Sequence, residues 1–144
     1  MKIVFGCDPN AQEFKEHLMA YVKELGHEVE DYGSEDPIYA NTAIKVAEAV
    51  AAKKFDRGII VCGTGIGVSI AANKVKGAYA ACIHDVYQAQ RACLSNNANI
   101  ITMGSQVIGT KLAECMVKEY LSCTFDPNGR SKDKVQRIVD YENE

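Results

Sequence analysis

Five short apolar runs recur along the chain, each followed by a longer segment of helical period, and this alternation restricts the fold more than any other feature. The runs are KIVFG (2–6), HEVEDYG (27–33), RGIIVC (57–62), AYAACI (78–83) and NIITMG (99–104). Strand and helix in strict succession predict a parallel sheet with helices on both faces, because parallel strands need long crossovers and the crossovers cover the sheet. Between the first two runs, Phe14, Leu18, Tyr21, Val22 and Leu25 form one helical stripe that ends at Gly26, a natural C-terminal glycine. Pro37 is placed to open a second helix, with Ala40, Ile44, Ala47 and Val50 inward as far as Lys54. Further helices are predicted from about Ile66 to Lys74, from Asp85 to Leu94 and over 108–122. After the turn FDPNGRS (125–131), a polar terminal helix over about 131–142 turns Val135, Ile138 and Val139 inward. The expected fold is one α/β domain over 1–144, a three-layer sandwich around a five-stranded parallel, Rossmann-like sheet with right-handed crossovers and a C-terminal helix.

Composition narrows the function classes. With 47% hydrophobic and 24% charged residues and a net charge of −3, the chain has no basic surplus for nucleic acid. The start MKIVFGCD is too short in apolar residues for a signal peptide or a membrane span, so the expectation is a soluble, cytoplasmic protein. None of the six cysteines stands in a C-x-x-C pair. Five of them read as small buried hydrophobes, with Cys62 the exception.

In folds of this class, ligands bind outside the carboxyl ends of the strands. That rule selects Cys7 and Asp8, Gly33 and Ser34, Cys62 to Gly67, His84 and Asp85, and Gly104 to Gln106. Only the third of these turns, in VCGTGIGVSIAANK (61–74), is rich in glycine. A Walker-type phosphate loop is excluded, since no lysine follows Gly67. A dinucleotide turn has Asp85 in its favour, 20 residues after Gly65, but the glycines are not spaced G-x-G-x-x-G and follow the third strand. A plain tight turn with Cys62 in the core is a further reading. The fourth is chemical: peptide N–H groups at a helix start stabilise a thiolate and also a negative charge developing on a substrate oxygen. A base beside an oxyanion hole is the minimum apparatus for moving a proton next to a carbonyl.

The segments GCD (6–8), CGTGIGVSIAANKVKG (62–77), HDVYQAQRA (84–92) and NNANIITMGSQVIG (96–109) resemble the ribose-5-phosphate isomerase B and galactose-6-phosphate isomerase family over nearly the whole chain. The resemblance implies an aldose–ketose isomerase without metal or cofactor. It would act through an enediolate on an opened sugar phosphate such as ribose 5-phosphate or a related pentose or hexose phosphate. The sites would be shared between subunits of a homodimer or homotetramer. Carried onto this chain, Cys62 moves the proton between C1 and C2. Gly63, Thr64, Gly65, Ile66 and Gly67 form the anion hole, with the Thr64 hydroxyl as an added donor. Asp8 holds a sugar hydroxyl, Asn96 contacts the sugar near its carbonyl end, and Arg130 and Lys134 face the phosphate.

The chain also departs from the family pattern. Pro9 follows GCD where a histidine is usual, and Ser95 stands where the ring-opening histidine is common. Gln106 replaces an arginine, and the C-terminal R-H-x-x-R becomes Arg130, Ser131 and Lys134. Arginine grips phosphate through a planar fork, whereas lysine is a point charge and glutamine carries none. These changes predict an altered substrate preference, or alternatively a non-catalytic or half-site subunit that completes a paralogue's site. His17 and His27 are expected on the solvated surface, while His84 lies at a strand end on the ligand side.

Overall fold

The computed structural model describes residues 1–144. Its strands are β1 (Lys2–Cys7), β2 (Glu28–Asp31), β3 (Arg57–Cys62), β4 (Ala80–Cys82) and β5 (Ile100–Gly104). The helices are α1 (Gln12–Glu24), α2 (Tyr39–Ala51), α3 (Ile66–Ala72), α4 (Val86–Leu94), α5 (Thr110–Ser122) and α6 (Lys132–Glu142). All strand pairs are parallel, in the order β2-β1-β3-β5-β4. The expected α/β sandwich is the observed one. The order adds what periodicity cannot show: β5 is inserted between β3 and β4, so the ends of β3 and β5 lie side by side, with Cys62 in register with Gly104.

Side-chain alternation divides the interior into two cores. Ile3, Phe5, Ile59, Val61, Ile101 and Met103 pack with residues of α1, α4 and α5 on one face. Val4, Ile60, Cys62 and Ile100 pack with α2 and α3 on the other. The second core is lined by small side chains, Ala43, Ala47 and Ala72 among them, which lets its helices sit close to the sheet.

Several expectations need correction. The α2 helix begins at Tyr39, and its buried face is Ala43, Val46, Ala47 and Val50, while Ala40 and Ile44 are only half-buried. Pro37 precedes the helix, in a turn closed by Asp36 Oδ1 accepting the Ile38 N–H at 2.8 Å. The buried stripe of α1 includes a charge, Lys15, which is fully buried and donates to both carboxylate oxygens of Asp31 at 2.7 and 2.9 Å. A buried ammonium is tolerated there because it is paired and its partner reaches solvent. The cysteines also differ from expectation. Cys62 is buried, as are Cys7 and Cys93 in the opposite core, Cys82 and Cys123 are half-buried, and Cys115 is exposed. In α6, Val135, Ile138 and Val139 do turn toward the body, yet no residue of this helix is buried. No helix is long and apolar enough to cross a membrane.

Candidate active site

The site begins where β1 and β3 end. Asp8 donates its N–H to the Val61 carbonyl at 3.3 Å, which ties the two strand ends together. Its Oδ1 accepts the Ala11 N–H at 3.1 Å and so caps a 3-10 turn over Pro9–Ala11. Pro9 fits the first position of that turn, where its missing N–H leaves nothing unpaired. The Asp8 carboxylate is thereby held beside the end of β3.

At that end, the Cys62 sulfur accepts the Gly65 N–H at 3.1 Å, and Cys62 is only 6% exposed. The turn that brings this amide back to the sulfur needs Gly65 in the left-handed region, at φ +80°. A Cβ on Gly65 would also stand 2.7 Å from the Met103 carbonyl carbon, and one on Gly104 would stand 2.6 Å from the Gly63 carbonyl oxygen. The 62–65 turn therefore lies directly on the end of β5. Three hydrogen bonds hold it there: Ser105 N–H to the Cys62 carbonyl at 2.9 Å, Gln106 N–H to the Gly63 carbonyl at 3.0 Å, and the buried Thr102 hydroxyl to the Gly65 carbonyl at 2.7 Å.

The glycine turn thus has a packing role, and within it the donors are partly spoken for. The Gly65 N–H serves the sulfur, and the Ile66 N–H donates to Thr64 Oγ1 at 3.2 Å. Cys7 offers a contrast. It also ends a strand, but burial pushes its thiol up to about 11, which makes it inert as a base near neutrality.

One residue near the turn escaped the sequence reading. Tyr39, at the start of α2, lies over Gly67, where a Cβ would come within 2.7 Å of its hydroxyl oxygen. Gly67 is thus the slot for an aromatic ring, and Tyr39 remains 43% exposed at the mouth of the turn. An aromatic residue just behind a proline turn was the only local signal, and the contact itself is long-range.

A second group assembles elsewhere. Ser95, Asn96, Arg130, Ser131 and Lys134 line a groove of about 410 Å³, together with Val135 and Ile138. Asn96 is presented there because α4 ends in a tight cap. Asn97 takes the left-handed conformation at φ +51°, and Ala98 N–H returns to the Ala92 carbonyl at 2.8 Å. The structure brings Asn96, Arg130 and Lys134 together, but none of residues 62–67 lines their groove. Gln106 borders the 62–65 turn and not the groove. It lies against Gly63 and lines a separate cleft with Asn10, Glu13 and His17.

The histidines and Asp85 are accounted for locally. His17 Nε2 lies 2.7 Å from Glu114 Oε2, so this histidine is paired rather than merely solvated. His27 is half-buried beside the N-terminal amine at 3.1 Å, and burial and that amine hold its pKa below the ordinary value. His84 is exposed. The Asp85 carboxylate caps α4, accepting the Gln88 N–H at 2.7 Å, which explains its position without a ribose. No three His, Cys, Asp or Glu side chains converge in a way that could hold a metal ion.

The sequence pattern of the Ribose/Galactose Isomerase family matches residues 3–138. The chain belongs to this family. Its relatives are sugar-phosphate isomerases. It is 45% identical to D-erythrulose-4-phosphate isomerase 2 of Mycolicibacterium smegmatis over 148 aligned positions, covering 99% of this chain and 97% of the relative. It is also 45% identical to ribose-5-P isomerase B of Listeria innocua, covering 99% of each chain. The solved structure of Clostridium thermocellum ribose-5-phosphate isomerase B superposes with a TM-score of 0.92 at 38% identity, over 99% of this chain and 98% of that one. This isomerase-family fold and the resemblance carried by the sequence segments therefore agree.

Proposed function

We propose that the chain interconverts an aldose phosphate and its ketose through an enediolate, with Cys62 as the base that carries the proton between C2 and C1. The observation that supports this most is the Cys62 sulfur held by the Gly65 N–H at 3.1 Å, at the carboxyl end of the sheet. That amide donor fixes where the sulfur's lone pair points. With the Gly65 amide so used, the enediolate oxygen is left to the amides of Gly63, Thr64 and Gly67 and to the Thr64 hydroxyl. In this reading Asp8 holds a sugar hydroxyl and Asn96 the carbonyl end. Arg130 and Lys134 hold the phosphate, and the protein needs neither metal nor cofactor.

The two groups of residues lie in separate places on one chain, which supports a site composed from two subunits. Ile66 and Ile70, one turn apart on α3, are 55% and 59% exposed beside the glycine turn and offer an apolar contact for the second copy. An Ile70→Asp variant is expected to run as a monomer in light scattering and to lose activity by about tenfold or more. An active dimeric variant would remove this face from the interface.

Within the sugar phosphates, the chemistry of the groove favours a substrate that arrives in open-chain form. Ser95, Asn96, Arg130 and Lys134 include no histidine or carboxylate to shuttle the proton that opens a furanose ring. A four-carbon sugar 4-phosphate has no free hydroxyl placed to close such a ring, because its terminal oxygen carries the phosphate. The relative from M. smegmatis is named for that substrate class. A panel of tetrose, pentose and hexose phosphates, assayed in D₂O by proton exchange at C2 of each aldose and at C1 of each ketose, tests both statements. Erythrulose 4-phosphate is expected to exceed ribose 5-phosphate in kcat/KM by about 100-fold, the usual worth of one positioned acid–base group. Faster ribose 5-phosphate turnover would reverse the preference. A chain inactive on every member alone, but active when mixed with a paralogue, would make it the half-site subunit that neutral Pro9 and Gln106 also allow.

A further inference from the structure

The helix that carries Lys134 is the most loosely packed in the chain. No residue of α6 is buried, and Ile138 and Tyr141 are 50% and 69% exposed. Its contact with the body is three aliphatic side chains, Val135, Ile138 and Val139, across a cavity of about 290 Å³ bounded by Tyr79, Ala80 and Ala98. Apolar contact of this kind is non-directional, so it does not by itself set the rotation of a helix about its axis.

A directional contact exists at the far end. Glu142 accepts the Tyr79 hydroxyl on Oε2 at 2.6 Å and the Gly77 N–H on Oε1 at 3.0 Å. The segment it grips is itself fixed from two sides. Asn99 accepts the Tyr79 N–H at 2.8 Å and donates to the Gly77 carbonyl at 3.0 Å. Asn73 donates to the Ala80 carbonyl at 2.9 Å and accepts the Ala80 N–H at 2.8 Å. Lys134, Ile138 and Glu142 follow each other at i, i+4 and i+8 along one line of α6, spanning about 12 Å. A carboxylate held at two points at one end of that line sets the height and rotation of the ammonium at the other.

We propose that Glu142 is a positioning residue: its two-point clasp on Gly77 and Tyr79 orients α6 so that Lys134, with Arg130 one turn before it, closes the groove beside Asn96 on the substrate's phosphate. The inference rests on reading that groove as the phosphate site. Burial and the neighbouring Glu142 push the Tyr79 hydroxyl up to about 12, so its proton stays available to the clasp throughout the neutral range.

The test compares Glu142→Ala, Glu142→Gln and Tyr79→Phe with Lys134→Ala in the full-length enzyme, on the best substrate of the panel. Losing the two hydrogen bonds is expected to raise KM about tenfold in Glu142→Ala, and less in the two milder variants, with kcat within about twofold. The inhibition constant for inorganic phosphate is expected to rise in parallel, and amide exchange over 132–142 to quicken while that of β1 and β3 does not. Because the effect acts through Lys134, Glu142→Ala added to Lys134→Ala is expected to raise KM by no more than about twofold. A raised KM in Lys134→Ala beside an unchanged KM in Glu142→Ala overturns the clasp and leaves the phosphate groove standing. An unchanged KM in Lys134→Ala overturns the groove reading, and the clasp with it. Equal fold-changes from Glu142→Ala in both backgrounds show that Glu142 does not act through Lys134, and overturn the proposal.

Discussion

Replacing Cys62 by alanine or serine is expected to slow exchange of the substrate C2 proton with solvent by about 10³-fold or more, the upper range for loss of one general base. Serine is the sharper case. It keeps the volume and the hydrogen bond from Gly65, but its hydroxyl does not ionise near neutrality, so a nearly intact site would be left without a base. The fold should survive either change, because Cys62 contributes one small side chain to a well-filled core beside Val68 and Ala72. The measurement is deuterium incorporation at C2, followed by NMR, alongside thermal unfolding of the same preparations. Near-normal exchange in Cys62→Ser with an unchanged unfolding curve would remove the thiol from the mechanism. The same loss in a Cys7→Ser variant would show that a different sulfur matters, but the desolvated thiol of Cys7 gives no reason to expect it.

Gly65→Ala is expected to damage stability and activity together. The backbone there sits at φ +80°, and the added Cβ would stand 2.7 to 2.9 Å from the Met103 backbone, which belongs to β5 and cannot give way as a side-chain tip would. Strain of that kind costs about 2–4 kcal/mol in unfolding free energy. If the turn moves to relieve it, the N–H that holds the Cys62 sulfur and the carbonyl that accepts the Thr102 hydroxyl move with it. Activity should therefore fall by about 100-fold even in the fraction that remains folded. Gly109→Ala is the control. Gly109 has nothing within 4 Å of its would-be Cβ, so urea unfolding should change by no more than the cost of alanine at the N-cap of α5, about 1 kcal/mol. A Gly65→Ala enzyme as stable and active as this control would show that the turn tolerates a side chain and does not fix the thiol.

Gly65 and Gly67 mark where sequence reasoning stops. The need for a tight turn in front of α3 was readable from the three glycines between 63 and 67. That Gly65 must lack a side chain because of Met103, 38 positions later, was not, since only the order β3-β5-β4 brings the two together. Gly67 shows the same limit. Its spacing in the motif points to a ligand, whereas in the fold it receives the ring of Tyr39. Nothing in the sequence marks Lys15 as buried, because its helix has an acceptable apolar stripe without it. Its burial depends on Asp31 arriving from β2. The three asparagines of NNAN divide their work in a way no motif reveals: Asn96 faces the groove, Asn97 takes the left-handed cap of α4, and Asn99 holds Gly77 and Tyr79.

The amino-acid sequence by itself determined the fold class, the positions of the strands to within a few residues, the place of Cys62 at a strand's carboxyl end, and membership of the isomerase family. Those features depend on side-chain period, turn chemistry and short motifs, all of which act between residues close in the chain. The tertiary structure alone decided which strands lie side by side, which amide holds the Cys62 sulfur, that the 62–67 turn and the Arg130–Lys134 groove are separate, and that Glu142 bonds α6 to Gly77 and Tyr79. Those outcomes depend on contacts between residues tens of positions apart, whose free energy is set by what the folded chain places opposite each of them, and no local pattern carries that information.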